Sequence, residues 1–113
     1  MMDRRHAFGL LAEYCVMVCY IVNSYTIVQH RFKNPHGELD IVAVRGRHLV
    51  VCEVKARKTL CHDEVITQKQ LKRLQEGAEF FLATNPRFQC HQIRFDLAVV
   101  FGDFSVRMTR NIM

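Results

Sequence analysis

Apolar residues recur at helical spacing between Arg5 and Val22, where Phe8, Leu11, Tyr14 or Cys15, Val18 and Ile21 or Val22 form a stripe that predicts a first helix. Asn23 and Ser24 break the pattern. Tyr25 to Phe32 is rich in β-branched and aromatic residues and predicts a strand, after which Asn34, Pro35, His36 and Gly37 turn the chain. Two apolar runs follow, Glu38 to Val44 and Leu49 to Ala56, joined through Arg45, Gly46, Arg47 and His48 as a hairpin. Both runs carry apolar side chains on both faces, the pattern of central strands covered on each side. Arg57 to Glu64 is polar and predicts a loop. Thr67, with Gln70 three residues on, matches a capping box that opens a second helix; Leu71, Leu74, Ala78 and Phe81 or Leu82 form its stripe, and Asn85-Pro86 ends it. Gln92 to Phe101 and Phe104 to Met108 predict two closing strands. The order α-β-β-β-α-β-β is that of an α/β layer fold.

With 113 residues, half of them hydrophobic, the chain can fill one core but not two ordinary domains, so a single domain over residues 1–113 is expected. It has no repeat, linker or low-complexity tract, which argues against a solenoid and against disorder. A net charge of +5 suits a polyanionic partner such as nucleic acid, although charge alone does not select one. Five cysteines, Cys15, Cys19, Cys52, Cys61 and Cys90, form no C-x-x-C pair, and their odd number fits poorly with a disulfide framework; a reduced, cytoplasmic setting is expected. Cys61-His62 and Cys90-His91 lack the close ligand spacing of a structural zinc module. Arg4 and Arg5 before the apolar run Ala7 to Val22 imitate a secretory signal, but Glu13 interrupts the run and no small-residue cleavage site follows. The run also falls short of the roughly 20 residues of a membrane span, so a buried first helix without membrane association is expected.

The hairpin concentrates the candidate chemistry. A loop of two or four residues centred on Gly46-Arg47 sets Asp40 opposite Glu53, with Cβ atoms roughly 4.5–5.5 Å apart, where like charges repel. Lys55, two residues beyond Glu53, shares its face and in the same register stands opposite Glu38. A divalent cation would neutralise the carboxylates: Mg²⁺ grips one or two carboxylates, keeps several waters and accepts a substrate phosphate. Spacing alone favours a plain charged cluster, with Lys55 paired to Glu38 or Glu53, because E-x-K at a strand end is a low-information pattern. Two features favour the metal. The carboxylates interrupt apolar central strands, where unpaired charge is expensive, and a third acid, Glu13, interrupts an equally apolar helix.

Three blocks, Gly37 to Ala43 (GELDIVA), Val51 to Arg57 (VCEVKAR) and Arg94 to Val99 (RFDLAV), closely resemble the YraN family of small bacterial proteins, and the likeness covers nearly the whole chain. The resemblance implies a PD-(D/E)xK, restriction endonuclease-like fold, with a central mixed β-sheet flanked by helices, and a kinship with Holliday-junction resolvases. It makes Asp40 the first acidic motif residue, Glu53 the second and Lys55 the motif lysine. Asp40, Glu53 and the Val54 carbonyl would hold Mg²⁺ or Mn²⁺, with Glu13 a candidate extra ligand and Lys55 orienting the nucleophile or touching the phosphoryl oxygen. The first helix departs from the family in being unusually apolar from Cys15 to Cys19, and Ser24-Tyr25 replaces Gly-Tyr.

Lys69, Lys72 and Arg73, near the start of the second helix, are candidates to follow a phosphate backbone, with a solvated helix face as the alternative. Glu38 is expected to anchor Lys55, and Asp96 to serve as a structural partner of Arg94 or Lys55. The implied function is a metal-dependent endonuclease acting on DNA, including branched DNA. The alternatives are a nucleic-acid-binding module without turnover and an interaction scaffold resting on the apolar first helix. A resolvase cutting two strands symmetrically needs two active sites, hence a homodimer.

Overall fold

The computed structural model describes residues 4–58 and 66–112. Helix α1 (Arg4–Val22) is followed by strands β1 (Thr26–Asn34), β2 (Gly37–Arg45) and β3 (His48–Arg57), helix α2 (Gln68–Thr84), a short 3₁₀ turn (Pro86–Phe88), and strands β4 (Gln92–Phe101) and β5 (Val106–Thr109). The five strands form one mixed sheet in sequence order. Only β3 and β4 run parallel, with α2 as the crossover between them. The architecture is the expected restriction endonuclease-like one, in the expected element order. Most of the expected 57–64 loop lies outside the described residues.

Local chemistry sets several of these boundaries. The Thr67 side chain accepts from the Gln70 amide at 3.1 Å while Gln70 accepts from the Thr67 amide at 3.0 Å, so two donors that α2 leaves unpaired at its start are satisfied together. At the β2–β3 turn Gly46 takes φ +59°, which a side chain would resist. The resulting two-residue loop sets the register Arg45 with His48 through Ile41 with Cys52.

The sheet separates two apolar layers. Ala12, Val16, Met17 and Tyr20 of α1 pack on Ile41, Ala43, Val50, Cys52, Ala98 and Val100, while Leu74, Ala78 and Phe81 of α2 pack on Leu39, Val42, Leu49, Val51 and Phe95. The α2 stripe is the one its sequence predicts. The α1 stripe is not: Leu11, Tyr14, Val18, Ile21 and Val22 are about half exposed or more, and the buried side chains belong to another face. A helix apolar all round has no preferred face of its own, so the sheet chooses one. By length and composition α1 also meets the requirement for crossing a bilayer, which the sequence pattern placed just out of reach; in this fold it lies along the sheet.

One polar cluster ties α1 to the far strands. Asp96, fully buried, accepts from the Tyr20 hydroxyl at 2.7 Å, from the Arg94 guanidinium at 2.9 and 3.0 Å, and from the Asn111 amide at 2.9 Å. Its expected structural pairing with Arg94 is therefore present, and its four hydrogen bonds from three residues explain how a carboxylate can sit without solvent.

Candidate active site

The strand pairing is interrupted at the candidate motif. Between β1 and β2, His30 pairs with Ile41 and Phe32 with Leu39, but Arg31 and Asp40 between them do not pair, and Arg31 takes φ +59°. Side-chain alternation slips at the same place: Ile41 faces α1 while Leu39, two residues away, faces α2. The β2–β3 ladder also stops at Ile41 and Cys52, one residue short of the motif. Asp40 fills the gap with its side chain, accepting the Val54 amide at Oδ2 over 2.8 Å. Val54 thus enters the site through its N–H.

This hook brings the Asp40 carboxyl into hydrogen-bonding reach of Glu53. Burial, and then the hydrogen bond and charge of Glu53, push Asp40 up to about 8, against the Val54 amide that favours the ionised form. Asp40 therefore holds its proton well above the usual carboxylate range. Glu53 is buried, and its Oε2 accepts from the Arg73 guanidinium at 2.8 Å, with the Lys55 Nζ at 3.9 Å. Asp40, Glu53 and Lys55 are therefore brought together as the hairpin implied. Glu38 pairs in register with Lys33, and the ion pair Lys55 makes among the described residues is with Glu53. Since the β2–β3 ladder ends before Asp40, a register extrapolated from it does not carry Glu38 to Lys55.

Glu13 approaches from α1. Its Oε1 lies 2.7 Å from His30 Nε2 and 2.9 Å from Arg31 Nε, and its Oε2 accepts from Arg31 Nη2 at 3.3 Å. Its charge contributes to the rise at Asp40, so it stands near the pair, but the Arg31 guanidinium and the His30 ring already hold it. Among the described residues no group of three or more His, Cys, Asp or Glu side chains is arranged to hold a metal. What converges is two carboxyls.

Arg73 belongs to this site as well as to the basic surface. Its aliphatic stem crosses Gly37, where a Cβ would lie 3.0 Å from Arg73 Cδ, and φ +128° at Gly37 also excludes a side chain. The absence of a side chain there gives α2 access to Glu53. Beyond Arg73 a cavity of about 460 Å³ is lined by His36, Lys69, Gln70, Lys72, Arg73 and Glu76. Lys72 is well exposed and lies 3.9 Å from Glu76, which also meets His36 at 2.9 Å. Sequence reasoning missed His30, Arg31 and His36. No local pattern marks them, since each acts through an element distant in sequence.

Cys52 is fully buried on the α1 face, where burial pushes its thiol up and leaves it unreactive. Cys15, Cys19, Cys52 and Cys90 are free thiols, and Cys61 lies outside the described residues.

Comparison with known proteins supplies one consistent likeness. The model of the uncharacterised protein family UPF0102 matches residues 12–100. A UPF0102 protein of Nitrobacter winogradskyi is 37% identical over 95 residues, covering 81% of this chain and 79% of its own length. One from Ruegeria pomeroyi is 34% identical over 109 residues, covering 96% of this chain and 89% of itself, and one from Azorhizobium caulinodans is 39% identical over 98 residues, covering 86% and 74%.

Proposed function

The chain belongs to the uncharacterised protein family UPF0102, the YraN family whose three blocks it carries, and on that premise we propose that it is a metal-dependent endonuclease hydrolysing phosphodiester bonds in DNA, including branched DNA. The observation that carries this reading is the Asp40–Glu53 pair, two carboxyls held together where ordinary strand pairing fails. Burying two carboxyls side by side costs the fold stability, and a hard cation bound between them would offset that cost.

Asp40 and Glu53 are the residues that would hold Mg²⁺ or Mn²⁺, whose oxygen preference they match. When bound, the cation would supply charge to a phosphodiester oxygen and acidify the attacking water. Lys55, mostly buried beside Glu53, would hold a phosphoryl oxygen. Arg73, which donates to Glu53, would share that carboxylate with a bound cation, and beside it Lys69, Lys72 and His36 line the cavity along which a phosphate backbone would run.

A second reading, a nucleic-acid-binding module without turnover, draws on the partners the carboxylates already have: Arg73 on Glu53, and Arg31 with the His30 ring on Glu13. One experiment separates the two. Purified protein is incubated with linear, nicked and four-way DNA in Mg²⁺ or Mn²⁺, alongside Asp40→Asn. The nuclease reading expects cleavage that Asp40→Asn abolishes together with Mn²⁺ binding measured by calorimetry, while metal-independent DNA affinity persists. Equal Mn²⁺ affinity in the variant and the parent would sink the metal site and leave the binding module. In either case Lys69→Glu with Lys72→Glu should weaken DNA binding and flatten its salt dependence, since two phosphate contacts are lost.

A further inference from the structure

Helix α1 has one apolar face too many. The sheet covers Ala12, Val16, Met17 and Tyr20, yet Leu11, Tyr14, Val18 and Ile21, each about half exposed, repeat at three, four and three residues along the opposite side. That is the a and d spacing of a heptad seam. Val22 adds to its end, and the ring of Phe8, edge-on to the half-exposed Phe104 with centroids 5.8 Å apart, flanks its start.

We infer that a second copy of the chain docks on this face, α1 against α1, antiparallel about a two-fold axis. The seam is narrow and regular, which suits the knobs and holes of another helix. A bilayer surface would instead call for a wide apolar arc bordered by Lys and Arg, and α1 carries no basic residue between His6 and its end. Charge selects the orientation. Arg4 and Arg5 stand at the positive end of the helix dipole, and α1 has no acid in its first turn and no base in its last. Parallel docking would stack both arginine pairs and both positive ends, whereas antiparallel docking separates them and sets each beside the negative end of the other helix.

With the axis level with Val16, Leu11 meets the partner's Ile21 and Tyr14 meets the partner's Val18, the a-to-d layers of an antiparallel pair. The five seam side chains present on the order of 500 Å² per copy, so the pair would bury about 1,000 Å², the lower bound of a specific interface. This assembly stands whether or not the protein is a nuclease; if it is one, each dimer holds two active sites.

Sedimentation equilibrium of the full chain tests it directly. The expected mass is twice 13.3 kDa, falling to one chain on dilution. Val18→Glu, which puts a charge at the centre of the seam, should weaken association by about 100-fold or more while far-ultraviolet circular dichroism stays unchanged. Leu11→Gln is a milder second variant expected to act in the same direction. A single-chain mass for the parent protein at the highest concentration would overturn the inference. So would a dimer unaffected by both variants, which would place the interface elsewhere. Flotation of a monomeric parent with phosphatidylcholine–phosphatidylglycerol vesicles, lost in Val18→Glu, would assign the face to a membrane and equally overturn it.

Discussion

Helices α1 and α2 flank one sheet yet specify their packing in opposite ways. α2 has a single apolar stripe, a reciprocal cap at Thr67 and Gln70, and a charged outer side, so its sequence dictates which face is buried. α1 is apolar around most of its circumference, and what orients it is tertiary: the Tyr20 hydroxyl on Asp96, and Glu13 between His30 and Arg31. Each helix also sends one charged residue towards the Asp40–Glu53 pair, Arg73 from α2 and Glu13 from α1, and each of these is held in an ion pair. Amphipathicity alone therefore locates a helix only when its apolar arc is narrower than the surface available to cover it.

The largest test of this contrast is a pair of truncations. Phe81→Ala, at a fully buried α2 position, should cost about 3–5 kcal/mol in denaturant unfolding. Val18→Ala, from the stripe that the α1 sequence offers as core, should stay within about 0.5 kcal/mol at dilutions where copies remain apart. A Val18 cost comparable to that of Phe81 would mean that α1 is turned the other way.

A smaller effect of opposite sign is expected between the helices. Asp40 has a folded-state pKa of about 8, above the unfolded value of about 3.9, so the folded state binds the extra proton. In metal-free buffer stability should then fall as pH rises through the window from about 4 to 8 and level off beyond it. Asp40→Asn should remove this slope and stabilise the metal-free protein at pH 9 relative to the parent. Identical pH profiles for variant and parent would show that Asp40 is ionised in the folded protein across this range.

The smallest pair of effects compares the ion pairs of the two helices. Glu13→Gln removes a nearly buried carboxylate from His30 and Arg31 and should cost about 1–3 kcal/mol in thermal or chemical unfolding. Lys72→Ala breaks a well-exposed pair with Glu76 and should change stability by less than about 0.5 kcal/mol. Equal costs would indicate that Glu13 is better solvated than its packing implies.

Short-range physics made much of this protein legible in its sequence. Periodicity placed seven elements in order, the Thr67–Gln70 box started α2, and the glycine-containing hairpin loop set a register that runs to Ile41 and Cys52 and so delivers Asp40 and Glu53 to the same end of the hairpin, with Lys55 following from strand alternation. Tertiary structure decided the rest. The break at Arg31 and Asp40 needs three strands to be visible, because it is a failure of pairing and not a property of any one segment. The Arg73 contact with Glu53 depends on α2 passing over Gly37, and the burial of Asp96 on Tyr20, Arg94 and Asn111 meeting from three parts of the chain. Which face α1 buries was also settled there: with apolar residues on every side its burial free energy differs little between orientations, and only the polar contacts of Tyr20 and Glu13 with distant strands tell those orientations apart.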